Sequence, residues 1–465
     1  MRRKNKFGRL FLLILSAVVL ILALYFVPTE WGGFSMRRID LLSALRIQQT
    51  DSTLIISEEE PIPVAKEVSP IDSIQQKREE ADSIRQALSQ INAAATDSLT
   101  ETKEVYFEDF NPDRKGLAHS FSKLIHHSGP LYMAFLGDSF IEADIFTLDV
   151  RRLLQHHFSG TGVGWMPLSS GVAGYRRGIT HRFSGWKELS PLTHHRSDYL
   201  LNQHIYQGTN PWVEYCLPAE SAPFHKISIY YKSEAEIPFT VQVGDSVLYE
   251  TLTPSALPQC HTIHYTGRRV KLQFTDADAA TFYGVCIDGA EQGIMVDNFS
   301  LRSSSGTNLL DINDQSAEAL NRLRPYGLIV LQYGMNVVSK GVYKYTSYEE
   351  KLVRVIQKLQ KDYPHADILI MGVSDRARKG EGGMETMPEL IALRKAQRNA
   401  AQRCGVLFWD TFTAMGGTNS ILNWAAKDWA AKDYTHISFR GGRFLAEQFV
   451  KSFLFEEEYY RQLGI

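Results

Sequence analysis

Four short segments of the 465-residue chain carry residues able to do nucleophilic chemistry. Two contain the triplet Gly-Asp-Ser: "AFLGDSFIEAD", with Gly137-Asp138-Ser139, and "VQVGDSVLYE", with Gly244-Asp245-Ser246. A serine hydroxyl is a weak nucleophile at neutral pH and needs a base within hydrogen-bond reach, usually a histidine oriented by a carboxylate. "AAKDYTHISFRGG" supplies such a pair in Asp433 and His436, three residues apart before a helix-like segment. "QYGMNVVS" offers an amide donor, Asn336, behind Gly334. Taken singly, each has a plainer reading: a turn, a helix cap, a surface ion pair.

The elements that must position these residues separate the two serines. "LYMAFL" (131–136) is a short, continuous apolar run, as expected of a strand buried on both faces. The segment after its triplet has apolar residues at helical spacing, so strand, tight turn and helix are expected, with Ser139 exposed at the junction. Backbone N–H groups and the helix dipole would favour a developing oxyanion there. "YGLIVLQYG", "ADILIMGVSD" and "GVLFWDTF" read as further buried strands, with helical segments between them, which is the pattern of a parallel sheet covered by helices. Residues 182–300 have a different texture, with short β-branched and aromatic runs separated by Gly, Pro, Asp and Ser, as in a β-sandwich. Ser246 falls between two such runs, where Gly-Asp is ordinary hairpin chemistry.

The three motifs, in the order "FLGDSF", "QYGMNVVS", "DYTH", resemble those of the SGNH hydrolases, also called the GDSL esterase family. The resemblance covers approximately residues 110 to 465, with the β-rich insertion as an extra, and it implies a three-layer, flavodoxin-like α/β domain. It also implies that Ser139 is the nucleophile, His436 the base and Asp433 its orienting carboxylate, with Asp138 and Gly334 in support. Ser139 N–H, Asn336 Nδ2 and one further backbone N–H would hold the oxyanion. The family's glycine for that third donor aligns with Ser303 in "MVDNFSLRSSSGTNLL"; Gly306, Gly171 and Gly174 are alternatives. Val337 stands where the family usually has Asp. An exported SGNH domain interrupted by a sandwich looks like the bacterial peptidoglycan O-acetylesterases, whose inserted module resembles a carbohydrate-binding module. The implied activity is removal of O-acetyl groups from a cell-envelope polysaccharide, peptidoglycan foremost. Acyl transfer to a glycan, or a catalytically silent glycan-binding protein, are the alternatives.

The rest of the chain bounds this reading. A formal charge of −2 gives no pull toward nucleic acid, and 44% hydrophobic residues suffice for two or three globular domains. "MRRKNKFGR" (1–9) precedes an apolar run, 10–27, of about 27 Å as a helix, close to a bilayer core. An uncleaved single-pass anchor in the cytoplasmic membrane is expected rather than a signal peptide, since "PTEWGG" is no A-x-A site. The basic residues would stay inside and send the catalytic part to the periplasm or beyond. Residues 28–105, poor in aromatics and rich in Glu, Ser and Gln from 51 to 102, read as a disordered or helical spacer. The catalytic domain is then expected in two parts, 106–181 and 301–465.

Four cysteines allow one disulfide among Cys216, Cys260 and Cys286, or none. The pairs His126-His127, His156-His157 and His194-His195 point apart, so neither a metal nor any cofactor is expected. "FSGTGVGWMPLSSGVAGYRRG" matches no nucleotide-binding loop and reads as a loop bordering the site. Trp165 and Tyr175 are candidates to stack on sugars there, and Arg176 and Arg177 to meet an acidic glycan, with ordinary loop packing the alternative.

Overall fold

The computed structural model describes residues 104–289 and 292–464, together with Glu30–Trp31 and Phe34–Ser35, which form a two-residue antiparallel ladder. The expected spanning segment 10–27 and most of the spacer lie outside the described residues. No described helix is long and apolar enough to cross a membrane.

The α/β part is built on a six-stranded sheet. In chain order its strands are β1 (Glu108–Asp109), β2 (Leu131–Gly137), β14 (Ile294–Ser300), β15 (Tyr326–Gln332), β16 (Asp367–Met371) and β19 (Leu407–Trp409). Their order in space is β14-β2-β15-β16-β19-β1, parallel except for the edge strand β1. Strand residues alternate between two cores because successive side chains point to opposite faces. Met133, Phe135, Val330 and Leu369 pack on one side with α1 (Ala118–Ile125), α2 (Thr147–Phe158) and α6 (Phe439–Leu463). Ala134, Leu136, Ile329 and Ile370 pack on the other with α3 (Asp314–Leu323), α4 (Thr346–Asp362) and α5 (Glu389–Cys404). Helix α4 shows why: Leu352, Ile356 and Leu359, all buried, recur at spacings of three and four and make one apolar stripe. The result is the expected three-layer α/β domain.

The insertion is a pair of antiparallel sheets. One has the order β11 (Ser255–Gly267), β8 (Phe224–Ser233), β13 (Ala280–Asp288), β6 (Ile205–Gln207), β5 (Lys187–Leu189), with β3 (Gly162–Met166) also pairing β13. The other runs β10 (Ser246–Leu252), β9 (Ile237–Val243), β12 (Arg269–Phe274), β7 (Trp212–Cys216), β4 (Thr180–Ser184). In β9, Ile237, Phe239, Val241 and Val243 point inward while Pro238 and Gln242 are exposed, the period of a half-buried strand.

The boundaries 182–300 expected for this insertion need correction at both ends. It begins with β3 at Gly162 and ends with β13 at Asp288, whereas β14 pairs in parallel with β2 and belongs to the six-stranded sheet. The glycines of "SGTGVG" disguised β3 as a loop, and "IMVDNFS" has the same texture as a sandwich strand. Only its pairing partner tells them apart. Gly244 (φ +58) and Asp245 form the two-residue loop between β9 and β10, with Val243 opposite Ser246. Glycine at the first loop position suits that positive φ. All four cysteines are unpaired.

A buried ion cluster ties the two parts together. Arg324 Nη1 donates to Asp288 Oδ2 of β13 at 2.9 Å, and Nη2 donates to Asp297 Oδ1 of β14 at 2.9 Å. Tyr326 Oη donates to the other Asp297 oxygen at 2.7 Å. Arg324 and both aspartates are almost fully buried, so each charge depends on the others for solvation.

Candidate active site

Strands β14, β2 and β15 are neighbours, and Gly137 at the carboxyl end of β2 stands opposite Ser300 on one side and Gln332 on the other. The segments that leave these three ends, Asp138-Ser139, Leu301–Ser304 and Tyr333–Asn336, therefore emerge side by side. This edge of a parallel sheet is where ligand sites of such folds collect.

Ser139 does not open an α-helix as expected. A turn follows it, closed by Asp138 Oδ1 accepting from Phe140 N–H at 3.0 Å, then a short 3-10 segment, Glu142–Asp144, and α2 starts only at Thr147. Ala143 and Asp144 both have positive φ, which interrupts any continuous helix. The N–H of Ser139 is thus presented by a local turn rather than by a helix terminus.

His436 reaches the serine from the loop before α6. Its Nε2 lies 3.1 Å from Ser139 Oγ, and its Nδ1 lies 2.7 Å from Asp433 Oδ2. With Nδ1–H donated to the carboxylate, Nε2 is left with a lone pair to accept the serine proton. Asp433 Oδ1 also accepts from the N–H groups of Thr435 at 2.9 Å and His436 at 3.1 Å, which locks the loop. Partial burial pushes the Asp433 pKa up, but these bonds and the facing imidazole outweigh it and leave it at about 2. The loop is seated by close backbone approach at the start of α6: a Cβ on Gly442 would stand 1.9 Å from the Ile145 carbonyl oxygen.

Asp138 is fully buried, and burial raises its pKa to about 6 against the opposing pull of Phe140 N–H, His436, Asn336 and Met335 N–H. Its Oδ2 accepts from Asn336 Nδ2 at 3.0 Å, and the second hydrogen of that amide goes to Ser304 O at 3.1 Å. In the resting site both Asn336 hydrogens are therefore engaged, and an oxyanion would have to draw one of them away. Among the described residues, no backbone acceptor takes the N–H of Ser139 or of Ser303. Ser303 has φ +67, the left-handed conformation that glycine adopts without strain, which explains a serine aligned with a family glycine. The N–H of Gly306, by contrast, is committed to Ser304 Oγ at 3.0 Å. Gly334, at φ +137 against Val373, gives the turn that sends Asn336 back over the sheet.

Sequence reasoning missed Arg376. It follows β16, donates from Nη1 to Met335 O at 3.2 Å, and its neighbour Ala377 N–H donates to Tyr434 O at 3.0 Å. One short segment thus touches both the strand end that carries Asn336 and the loop that carries His436. Its position at the carboxyl end of a predicted strand was the available signal.

The glycine-rich segment behaves differently from expectation. Trp165 is buried in β3 against Tyr230 and Phe299 and offers no face to a sugar. Arg176 is held by buried Asp144 at 3.1 Å, and the Arg177 guanidinium lies 4.1 Å from the centre of the Phe439 ring. Tyr175 is exposed. A cavity of about 480 Å³ opens beside the triad, not on it, between Ser169–Ala173 of that segment, the sandwich residues Glu188 and His204, and Ser300–Arg302 of the catalytic sheet. His204 Nε2 donates to Ser300 O at 3.2 Å, a direct link from the sandwich to the strand end that leads to Ser303. No group of His, Cys, Asp and Glu suited to a metal ion occurs among the described residues.

No protein-family model matches the sequence, and no curated protein matches it either. Among solved structures, one described as a peptidoglycan O-acetylesterase in action is similar over 77% of this chain and 99% of its own length, at 21% identity and a TM-score of 0.63. The chain therefore shares the fold of that structure over most of its described length. A family two carbohydrate esterase from Cellvibrio japonicus (9% identity, 49% of this chain, 86% of that one, TM-score 0.20) is also similar. So is a GDSL-like lipase from Parabacteroides merdae (14%, 34%, 72%, TM-score 0.27). Their superpositions are too poor to add to the fold assignment.

Proposed function

We propose that the chain is a serine esterase that removes O-acetyl groups from a cell-envelope polysaccharide, peptidoglycan foremost, and that its N-terminal segment anchors it in the cytoplasmic membrane with the catalytic part outside the cytoplasm. The observation that carries the reading is the hydrogen-bonded series Ser139 Oγ, His436 Nε2, His436 Nδ1, Asp433 Oδ2 at 3.1 and 2.7 Å. The similarity to a solved peptidoglycan O-acetylesterase, matched over 99% of its length, supports the substrate.

Ser139 Oγ attacks the ester carbonyl carbon while its proton passes to His436 Nε2. The N–H groups of Ser139 and Ser303, with one Asn336 hydrogen released from Ser304 O, receive the oxyanion. Asp433, ionised at any pH above about 2, balances the imidazolium. The imidazolium returns its proton to the sugar oxygen as that bond breaks, leaving acetyl-Ser139. Water then attacks the acyl carbon, gives its proton to His436, and acetate departs as Ser139 recovers its hydrogen.

Hydrolysis is favoured over acyl transfer because the His436 and Asp433 side chains are 42% and 49% exposed, so water reaches the acyl-enzyme freely. The purified full-length protein should release acetate from 4-nitrophenyl acetate and from O-acetylated peptidoglycan. Acetyl appearing on an added glycan acceptor in place of free acetate would indicate the transferase. Binding of glycan with no acetate release from any ester would indicate a silent binding protein.

A further inference from the structure

Among the described residues, Arg376 is a half-buried cation at this face that no carboxylate compensates. Its side chain is half-buried, yet it forms no ion pair with any carboxylate among the described residues, and its one hydrogen bond goes to a neutral carbonyl, Met335 O. Four carboxylates stand on the neighbouring segments, and each is committed elsewhere. Asp375, next in sequence, accepts from Thr386 Oγ1, Ser420 Oγ and Ile421 N–H. Asp138 serves Phe140 and Asn336, and Asp433 serves Thr435 and His436. Glu389 accepts from Gly341 N–H at 2.6 Å and pairs with Arg378 at 2.8 Å. A half-buried guanidinium with spare donors and no internal carboxylate is free to accept an external anion in place of water.

Its place decides which anion. Met335 precedes the oxyanion donor Asn336, and Ala377 is bonded to Tyr434 between Asp433 and His436. The guanidinium is therefore held at the strand end that carries Asn336, next to the segment bonded to the histidine loop. The loop facing it, residues 333–345, contains Lys340 and Lys344, both exposed, and no acidic residue. The opposing charges are Glu381 and Glu385 on the hairpin beyond, and Glu389, whose Oε1 is taken by Gly341 N–H and Arg378. The planar fork of arginine matches a carboxylate in two parallel hydrogen bonds.

We propose that Arg376 binds a carboxylate of the substrate, so that the enzyme selects acetylated glycans bearing an acid group near the ester, on the sugar or on an attached peptide. This rests on the esterase reading of Ser139. It deepens that reading by naming a specificity residue which takes no part in bond-making.

The test uses three acetylated glycan fragments, with a sugar-borne carboxylate, with a peptide-borne carboxylate, and with the carboxylates as methyl esters, alongside 4-nitrophenyl acetate. Arg376→Ala should raise KM for one or both acid fragments about tenfold to a hundredfold, as expected for loss of a charge-assisted bond. The loss on the acid fragments should exceed by that factor any loss on the methyl ester and on 4-nitrophenyl acetate. Arg376→Lys should recover part of the loss. Whichever acid fragment responds identifies the source of the carboxylate. Equal loss on all substrates would overturn the proposal and reduce Arg376 to a support for Met335; no loss on any would overturn it outright. Calorimetric affinity in a Ser139→Ala background repeats the comparison without turnover. There, tighter binding of an acid fragment than of its methyl ester, abolished by Arg376→Ala, supports the proposal even if every ester resists hydrolysis, an outcome that would sink the esterase reading alone. Equal affinities would overturn the anion site.

Discussion

Ser139 Oγ lies 3.1 Å from His436 Nε2 across 297 positions of chain, because β2 delivers the serine to the sheet edge and the start of α6 delivers the histidine loop to the same edge. Ser139→Ala and His436→Ala should each lower kcat on an acetyl ester by about 10⁴-fold or more, with folding unchanged by circular dichroism. Ser246→Ala, in the β9–β10 hairpin, should leave kcat at the wild-type value. Full activity in Ser139→Ala would refute the nucleophile assignment.

Asn336→Ala should lower kcat by about 10²- to 10³-fold with little change in KM, since its hydrogen reaches the oxygen only when charge develops there. A parallel rise in KM would mean that Asn336 binds the ground state instead. Steady-state kinetics on 4-nitrophenyl acetate separates the two.

Asp138 makes the site's pH dependence testable. Its pKa rises from an ordinary 3.8 to about 6 on folding, so the folded state favours the protonated form. Its stabilising contribution is fully present below about pH 4 and lost as pH rises through 6. The two-unit shift corresponds to about 3 kcal/mol. Denaturant titrations of wild type and Asp138→Asn should show the difference in unfolding free energy moving against the wild type between pH 4 and 7, by a few kcal/mol. A flat difference would mean that Asp138 is not desolvated as described.

Arg324 holds two buried aspartates, one from each part of the protein. Arg324→Met should cost about 3–5 kcal/mol, because it strands two carboxylates away from water. Restoring neutrality with Asp288→Asn and Asp297→Asn in the same chain should recover part of the loss. Strict additivity of the three changes would argue against a shared cluster.

Ser303→Gly should retain activity and raise stability by up to about 1–2 kcal/mol, since a left-handed conformation costs an L-residue that much. Thermal melts and kcat measured on the same preparation check both halves. A kcat loss comparable with that of Asn336→Ala would show that the serine side chain, and not only its N–H, acts in the site.

Much of this was legible in one dimension because it depends on local patterns. Apolar runs such as "LYMAFL" and "YGLIVL" must be buried on both faces, and the spacing in "SYEEKLVRVIQKL" can only bury one helical stripe, so the layered α/β domain follows from the sequence. The hairpin role of Gly244-Asp245-Ser246 follows in the same way, from two short strands and a glycine that tolerates positive φ. The order of the Ser139, Asn336 and Asp433/His436 segments was likewise readable, since each motif lies at an element's end.

Pairing across the chain decided the rest, because hydrogen-bond partners distant in sequence leave no periodic trace. "IMVDNFS" joined the catalytic sheet through parallel pairing with β2, and "GVGWM" joined the sandwich through β13, against the texture of each. Trp165, marked by composition as a sugar platform, was buried by Tyr230 and Phe299. Asn336 was found with both hydrogens already engaged, and Arg376 without an acid partner, only when the strand ends were brought together. Residue type determined what each group could do; the shared edge of three neighbouring strands determined which of them meet, because only there do segments far apart in sequence come within hydrogen-bond distance.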